Sequence, residues 1–142
     1  MSKNTYSLSI YIIVSSLLCT TCFSKLHVHI TSHLPTSSPP LTLHCKSADD
    51  DLGTHTLYWN QFFTWSFRMN YWNTTVFYCD YWWGEKHAAF HAFDALIWQL
   101  IDTKNPNNGD FYYHVEADGF YLYCYHRDAG KSWWTLIHKW VN

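Results

Sequence analysis

The chain has 142 residues, of which 48% are hydrophobic, 20% aromatic and only 14% charged; 9 basic against 11 acidic groups leave it at −2 with its ten histidines neutral. So low a charge content beside 9 Trp, 11 Tyr and 9 Phe excludes a disordered polyelectrolyte and a basic nucleic-acid arm, and the near-neutral balance gives no field for steering DNA or anionic lipid. What remains is one small domain with an aromatic core, rich in β-strand.

Residues 1–24 open with Lys3, run through the apolar stretch LSIYIIVSSLLCTTC and end in small residues before Lys25. This is the layout of a secretory signal peptide, and the 15-residue apolar run falls short of the roughly 20 that a spanning helix needs. Cleavage is expected after Ser24, with Cys22 as the competing position; either cut removes Cys19 and Cys22. The domain is then residues 25–142, and no membrane insertion is expected. It keeps Cys45, Cys79 and Cys124, an odd number that leaves one thiol unpaired or intermolecular in an oxidising compartment. It also keeps all ten histidines, with 8 basic against 11 acidic groups, so acid surroundings would carry its charge from −3 toward a limit of +7.

Period-two alternation predicts strands along most of this domain. LHVHIT (26–31) comes first, weakly alternating, followed by a Ser/Thr-rich connection with Pro35, Pro39 and Pro40. LTLHCKS puts Leu41, Leu43 and Cys45 on one face, and an acidic turn over 49–53 leads to a weaker strand, HTLYW (55–59). FFTWSFR turns Phe63, Trp65 and Phe67 inward, TTVFYCDYW does the same with Phe77, Cys79 and Tyr81, and AAFHAF (88–93) is weak again. AFDALIWQLI (92–101) suits either a helix turn through Phe93, Ile97 and Leu100 or a strand. Past an exposed loop at 102–110, DFYYHVE groups Phe111, Tyr113 and Val115, GFYLYCYH groups Phe120, Leu122 and Cys124, and SWWTLIHKWV turns Trp134, Leu136 and Trp140 inward. Between the first two of these, Asp118-Gly119 is a hairpin signal, since both residues tolerate positive φ. Many short strands with turn signals between them predict an all-β fold, a small antiparallel β-sandwich, with a flattened barrel as its variant. Cys45 and Cys79 are candidates to bridge two strands across the core, closing a loop worth roughly 3–4 kcal/mol by chain entropy. Cys124 has the same orientation, so three pairings stay open.

The segments VHITSHLPTSSPPLTLHCKSADDDLGTHTL (28–57), WSFRMN (65–70), TTVFYCDYWW (74–83), KHAAFHAFD (86–94) and VEADGFYLY (115–123), in that order, resemble the plant self-incompatibility S-protein homologue family. The resemblance implies a small secreted β-sandwich without known enzymatic activity, acting as an extracellular signal. In one plant lineage the pistil form is the ligand that a pollen membrane receptor reads to reject self pollen. The family's recurring cysteine pair falls on Cys45 and Cys79, which leaves Cys124 over, either buried in a monomer or linking a dimer. Many relatives carry two further cysteines where this chain has DFYYH (110–114), so the second family disulfide lacks its residues here. His91 and Ala92 stand where relatives have a more regular apolar pattern.

Candidate sites follow from residue chemistry. Asn73-Thr74-Thr75 is an N-glycosylation sequon before a predicted strand. Asp49, Asp50 and Asp51 invite calcium, yet the loop lacks both the alternating spacing and the distal glutamate of a binding loop, so they are read as fixing a turn and as the candidate receptor contact. His27 with His29, and His87 with His91 on a helix face, have spacings that suit zinc, but no third and fourth ligand follows at defined spacing, so no metal or cofactor is expected. A terminus at Lys25-Leu26-His27 would offer a copper(II) chelate. No nucleophile motif organises the serines, histidines and aspartates, so no enzyme is expected. The expected partner is a cell-surface receptor protein, met by loops 31–40, 49–54, 70–73 and 102–110, with no nucleic acid involved. The rival is a carbohydrate- or cell-wall-binding module using Trp82, Trp83 and Trp133 as stacking surfaces.

Overall fold

The computed structural model describes residues 25–101, 109–126 and 128–142, with His126 described by its backbone alone. The expected signal peptide, with Cys19 and Cys22, and most of the 102–110 loop lie outside the described residues. Among these residues the chain forms β1 (Leu26–Ser32), β2 (Leu41–Lys46), β3 (Asp51–Leu57), β4 (Phe62–Phe67), β5 (Phe77–Trp83), β6 (Lys86–Phe93), α1 (Ala95–Leu100), β7 (Asp110–Glu116), β8 (Gly119–His126) and β9 (Lys131–His138). One sheet has the order β4-β1-β7-β8-β9 and the other β3-β2-β5-β6. The pairings are antiparallel except β1 with β7, which runs parallel. Those two strands are separated by most of the chain, so no hairpin fixes their relative direction.

Alternation sorts the side chains as the sequence reading expects in β1, β2, β5, β7 and β8: Val28, Ile30, Leu41, Leu43, Cys79, Tyr81, Val115, Phe120 and Leu122 are fully buried between the sheets. β1 reads weakly only because its outward positions are His27 and His29. In β6 the pattern breaks because Phe77 pairs with Phe93 while Tyr78 pairs with His91, so the bulge at Ala92 turns both Ala92 and Phe93 into the core.

The ambiguous stretch after β6 resolves into α1. Asp94 caps it, its Oδ1 accepting from the amides of Leu96 (2.9 Å) and Ile97 (2.8 Å). Burial disfavours the Asp94 charge, but the Ile97 amide, the His91 ring and the Leu96 amide hold its carboxyl below the ordinary carboxylate value.

Four expectations are corrected. The acidic turn is shorter than 49–53: Ser47 N–H donates to Asp50 O (2.8 Å), Asp50 N–H to Ser47 Oγ (3.1 Å), and β3 already begins at Asp51. Inside β3, Leu52 and Gly53 together oppose Cys45, a bulge that Gly53 absorbs at φ +76°. The β7–β8 reversal uses Ala117 and Asp118, because Glu116 pairs with Gly119, one residue earlier than Asp118-Gly119. In β9, Trp134 and Leu136 are 39% and 38% exposed rather than inward. The register shifts opposite Phe120 and Tyr121, which puts Leu136 and Trp134 beside the outward Tyr121 and Tyr123 on an edge strand. Finally, the disulfide joins Cys45 to Cys79 as directly opposed residues of the neighbouring strands β2 and β5, Cα atoms 4.1 Å apart, and so staples one sheet rather than crossing the core.

Two buried tyrosines differ in a way that predicts opposite mutational signs. Tyr113 Oη donates across the sandwich to Ala92 O (2.7 Å), whereas Tyr81 Oη is buried without a partner among the described residues. Desolvation holds both phenols protonated. Tyr113→Phe leaves a core carbonyl unpaired and is expected to cost about 1–2 kcal/mol. Tyr81→Phe removes an orphaned hydroxyl and is expected to stabilise by about 1 kcal/mol. Urea midpoints measure both, and a loss of stability in both variants would contradict the assignment.

Candidate recognition surfaces

At one end of the sandwich two of the predicted loops converge. The Asp49–Asp50 turn and, from the 70–75 segment, Asn70, Thr74 and Thr75 border a cleft of about 390 Å³ that also includes Ser66 and Arg68. Asn70 organises the second loop: its Nδ2 donates to Thr74 Oγ1 (2.7 Å), its Oδ1 accepts from Thr74 N–H (2.9 Å), and its own amide donates to Thr75 Oγ1 (3.0 Å). Asn73 is exposed at φ +54°, and β5 starts only at Phe77, so the whole sequon stands in the loop rather than in the strand. The three aspartates are not one group. Asp49 and Asp50 are exposed at the turn, while Asp51 Oδ1 accepts from Gly53 N–H (2.9 Å) and contacts His44 Nε2 (2.6 Å). Those bonds, His44 first, hold the Asp51 carboxyl below its ordinary value.

The loop also carries Tyr71 and Trp72, 74% and 78% exposed and packed edge to face on each other. The sequence marks the 70–73 loop as a candidate contact but does not single out these two rings; their position in a stretch without alternation is the available signal.

The 31–40 segment lies at the opposite end. It borders a cleft of about 250 Å³ with Leu34, Pro35, Pro39, Leu57, Tyr58 and Trp59, and Trp83 Nε1 donates to Ser38 Oγ (3.0 Å). Trp83 is therefore pinned at the rim, Trp82 is exposed on the four-stranded sheet, and Trp133 is exposed on β9 of the other. The structure does not gather these three indoles into one platform.

The histidines are sorted by their strands. On β1, His27 Nδ1 and His29 Nε2 both approach Asp110 Oδ1 of β7, at 3.0 and 3.3 Å. The amide of His27 donates to Gly109 O (2.9 Å), so the nitrogen that a copper chelate would require is held in the ladder. His87 and His91 stand on strand β6, not on a helix, and pair separately with Asp80 (3.3 Å) and Asp94 (2.9 Å). Farther along the outer face, His33 and His114 lie beside Glu116, a grouping that no spacing in the sequence reveals because β1 and β7 are distant in the chain. Cys124 is a free thiol, 6% exposed and turned to the core, so a dimer through it would require β8 to open.

No helix among the described residues is long and apolar enough to cross a membrane. Residues 27–140 match the family described as plant self-incompatibility protein S1. S-protein homolog 24 of Arabidopsis thaliana is 29% identical across the whole of this chain and 96% of its own length. S-protein homolog 5 of the same plant is 42% identical over 57 residues, but the match spans only 40% of this chain and 44% of that protein. A solved structure of SPH (Self-Incompatibility Protein Homologue) proteins, described as a widespread family of small, highly stable, secreted proteins from plants, superposes with a TM-score of 0.60 at 18% identity over 87% of this chain and all of that one. Two packed sheets, one of them stapled by the Cys45–Cys79 bond, and a family match along nearly the full described length make this chain a member of the plant self-incompatibility S-protein homologue family.

Proposed function

We propose that this protein is a secreted ligand for cell–cell signalling in plants, read by a cell-surface receptor protein, with pollen–pistil recognition and other reproductive or developmental signalling as its settings. Residues 1–24 act as the cleaved signal peptide, and residues 25–142 travel as a non-enzymatic monomer with Cys124 sealed in the core. The observation that carries this reading is the convergence of the Asp49–Asp50 turn with Asn70, Thr74 and Thr75 on one cleft of a disulfide-stapled frame, in a loop that also bears the exposed Tyr71 and Trp72. Such rings supply contact area at low conformational cost and are the usual anchors of protein interfaces. Asn73, in the same loop, is a glycan attachment point; intact mass before and after glycosidase reads it, and an unchanged mass removes it.

The test is proximity labelling of plant cell surfaces with the exported protein. Tyr71→Ser with Trp72→Ser, and separately Asp49→Asn with Asp50→Asn, are expected to lower labelling of a membrane protein about tenfold while the unfolding midpoint stays unchanged. Equal labelling by both variants would overturn the assignment of this end. Exposed Trp82 and Trp133 favour a second reading, a carbohydrate- or cell-wall-binding module. Saturable micromolar binding on a glycan array, lost in Trp82→Ala or Trp133→Ala, with no labelled membrane protein, would establish it instead.

A further inference from the structure

Because Tyr113 and Val115 are committed to the core, β7 presents His114 and Glu116 together on the outer face of its sheet. β1 lies parallel to β7 with Thr31 beside His114 and Ser32 beside Val115, and His33 N–H extends that ladder to Val115 O (2.9 Å). His33, just past the strand, continues the outward series of His27, His29 and Thr31, and so arrives next to both β7 side chains. Its Nδ1 lies 3.0 Å from Glu116 Oε1, and one donor atom from each of the three residues lies within 4.8 Å of the other two. Among the described residues this is the one trio of His, Cys, Asp or Glu that comes so close.

We propose that His33, His114 and Glu116 form a zinc(II) site on the outer face of the five-stranded sheet. Two imidazoles and a carboxylate are the nitrogen–oxygen donors zinc accepts, and with metal–ligand bonds of 2.0–2.1 Å a tetrahedral set has its donors about 3.3 Å apart. The His33–Glu116 edge already has nearly that length. All three side chains are half-buried, neither locked in the core nor free in solvent, so closing the other two edges is a matter of side-chain rotation. The Trp134 ring lies on His114 with 3.6 Å between centroids, which orients the imidazole and shields one side from water. Three protein ligands leave a fourth position for water or a donor from a bound partner, and two of them, His114 and Glu116, border a cleft of about 340 Å³ with Asp118, Tyr121 and Trp134.

The test is calorimetric titration of the untagged, disulfide-intact protein with Zn²⁺, alongside visible absorption with Co²⁺. One equivalent is expected to bind with a dissociation constant of about 10 μM or tighter, and Co²⁺ to give the visible bands of a four-coordinate site. His114→Ala, His33→Ala and Glu116→Gln should each weaken binding at least about tenfold, whereas His27→Ala and His87→Ala should leave it within about twofold. Glu116→Gln preserves shape and keeps the experiment readable should either histidine variant fail to fold. No saturable uptake below about 100 μM, or uptake that survives both Glu116→Gln and a folded His114→Ala, would reduce the trio to a His33–Glu116 pair beside a stacked ring.

Discussion

Reducing the Cys45–Cys79 bond, or replacing both residues by alanine, is expected to lower the free energy of unfolding by about 3–4 kcal/mol. The two cysteines are 34 positions apart, and the loop they close contains β3 of one sheet and β4 of the other. The bond therefore limits the unfolded chain just where it must distribute consecutive strands between two layers. Native geometry contributes as well: opposed residues on antiparallel neighbours need no backbone movement to be joined, so the constraint acts on the unfolded ensemble. For a domain this size the loss corresponds to a fall in melting temperature of more than about 10 °C. Urea unfolding with and without reductant measures it. A midpoint that moves by less than the equivalent of about 1 kcal/mol would mean that sheet packing, not the staple, holds β2 to β5.

The strands were legible because burial on one face writes itself into alternation. Leu41, Leu43 and Cys45 could be assigned to the interior from their spacing alone, as could Phe111, Tyr113 and Val115. Legibility failed wherever a bulge broke the period. One extra residue in β6 and another in β9 reverse the faces beyond them, and nothing in Ala92 or Ile137 announces it. Partner choice was equally hidden. The parallel match of β1 with β7 is decided by how two sheets close around one core, so the meeting of His33 with His114 and Glu116 could not be read from either segment. The 49–54 and 70–73 loops are separate candidates in the sequence, and only the fold shows that Asp49, Asp50 and Asn70 border one cleft. Family resemblance supplied the cysteine pairing, but not that the pair lies within a single sheet.

Gly119→Ala is expected to destabilise by about 3 kcal/mol, far more than the usual glycine-to-alanine change. Gly119 opens β8 directly after the Ala117–Asp118 reversal, at φ +157°, a conformation that side chains of L residues rarely adopt. A Cβ there would overlap His138 O and come 2.7 Å from Leu136 Cδ1. The first obstacle is backbone and cannot rotate away, so β8 and β9 would have to separate where Phe120 pairs with His138. Just beyond lies Trp140, whose Nε1 donates to Glu116 O (2.9 Å) and whose ring packs 4.6 Å from Phe120. The damage would thus spread to the indole that closes this end of the core. Gly53→Ala is the matched control: its φ of +76° carries similar backbone strain, but a Cβ there meets nothing within 4 Å, and its cost should stay near 1 kcal/mol. The difference between the two urea midpoints isolates the steric contribution. Equal costs would show that β9 yields to the new methyl group without loss, and would contradict the close approach of His138.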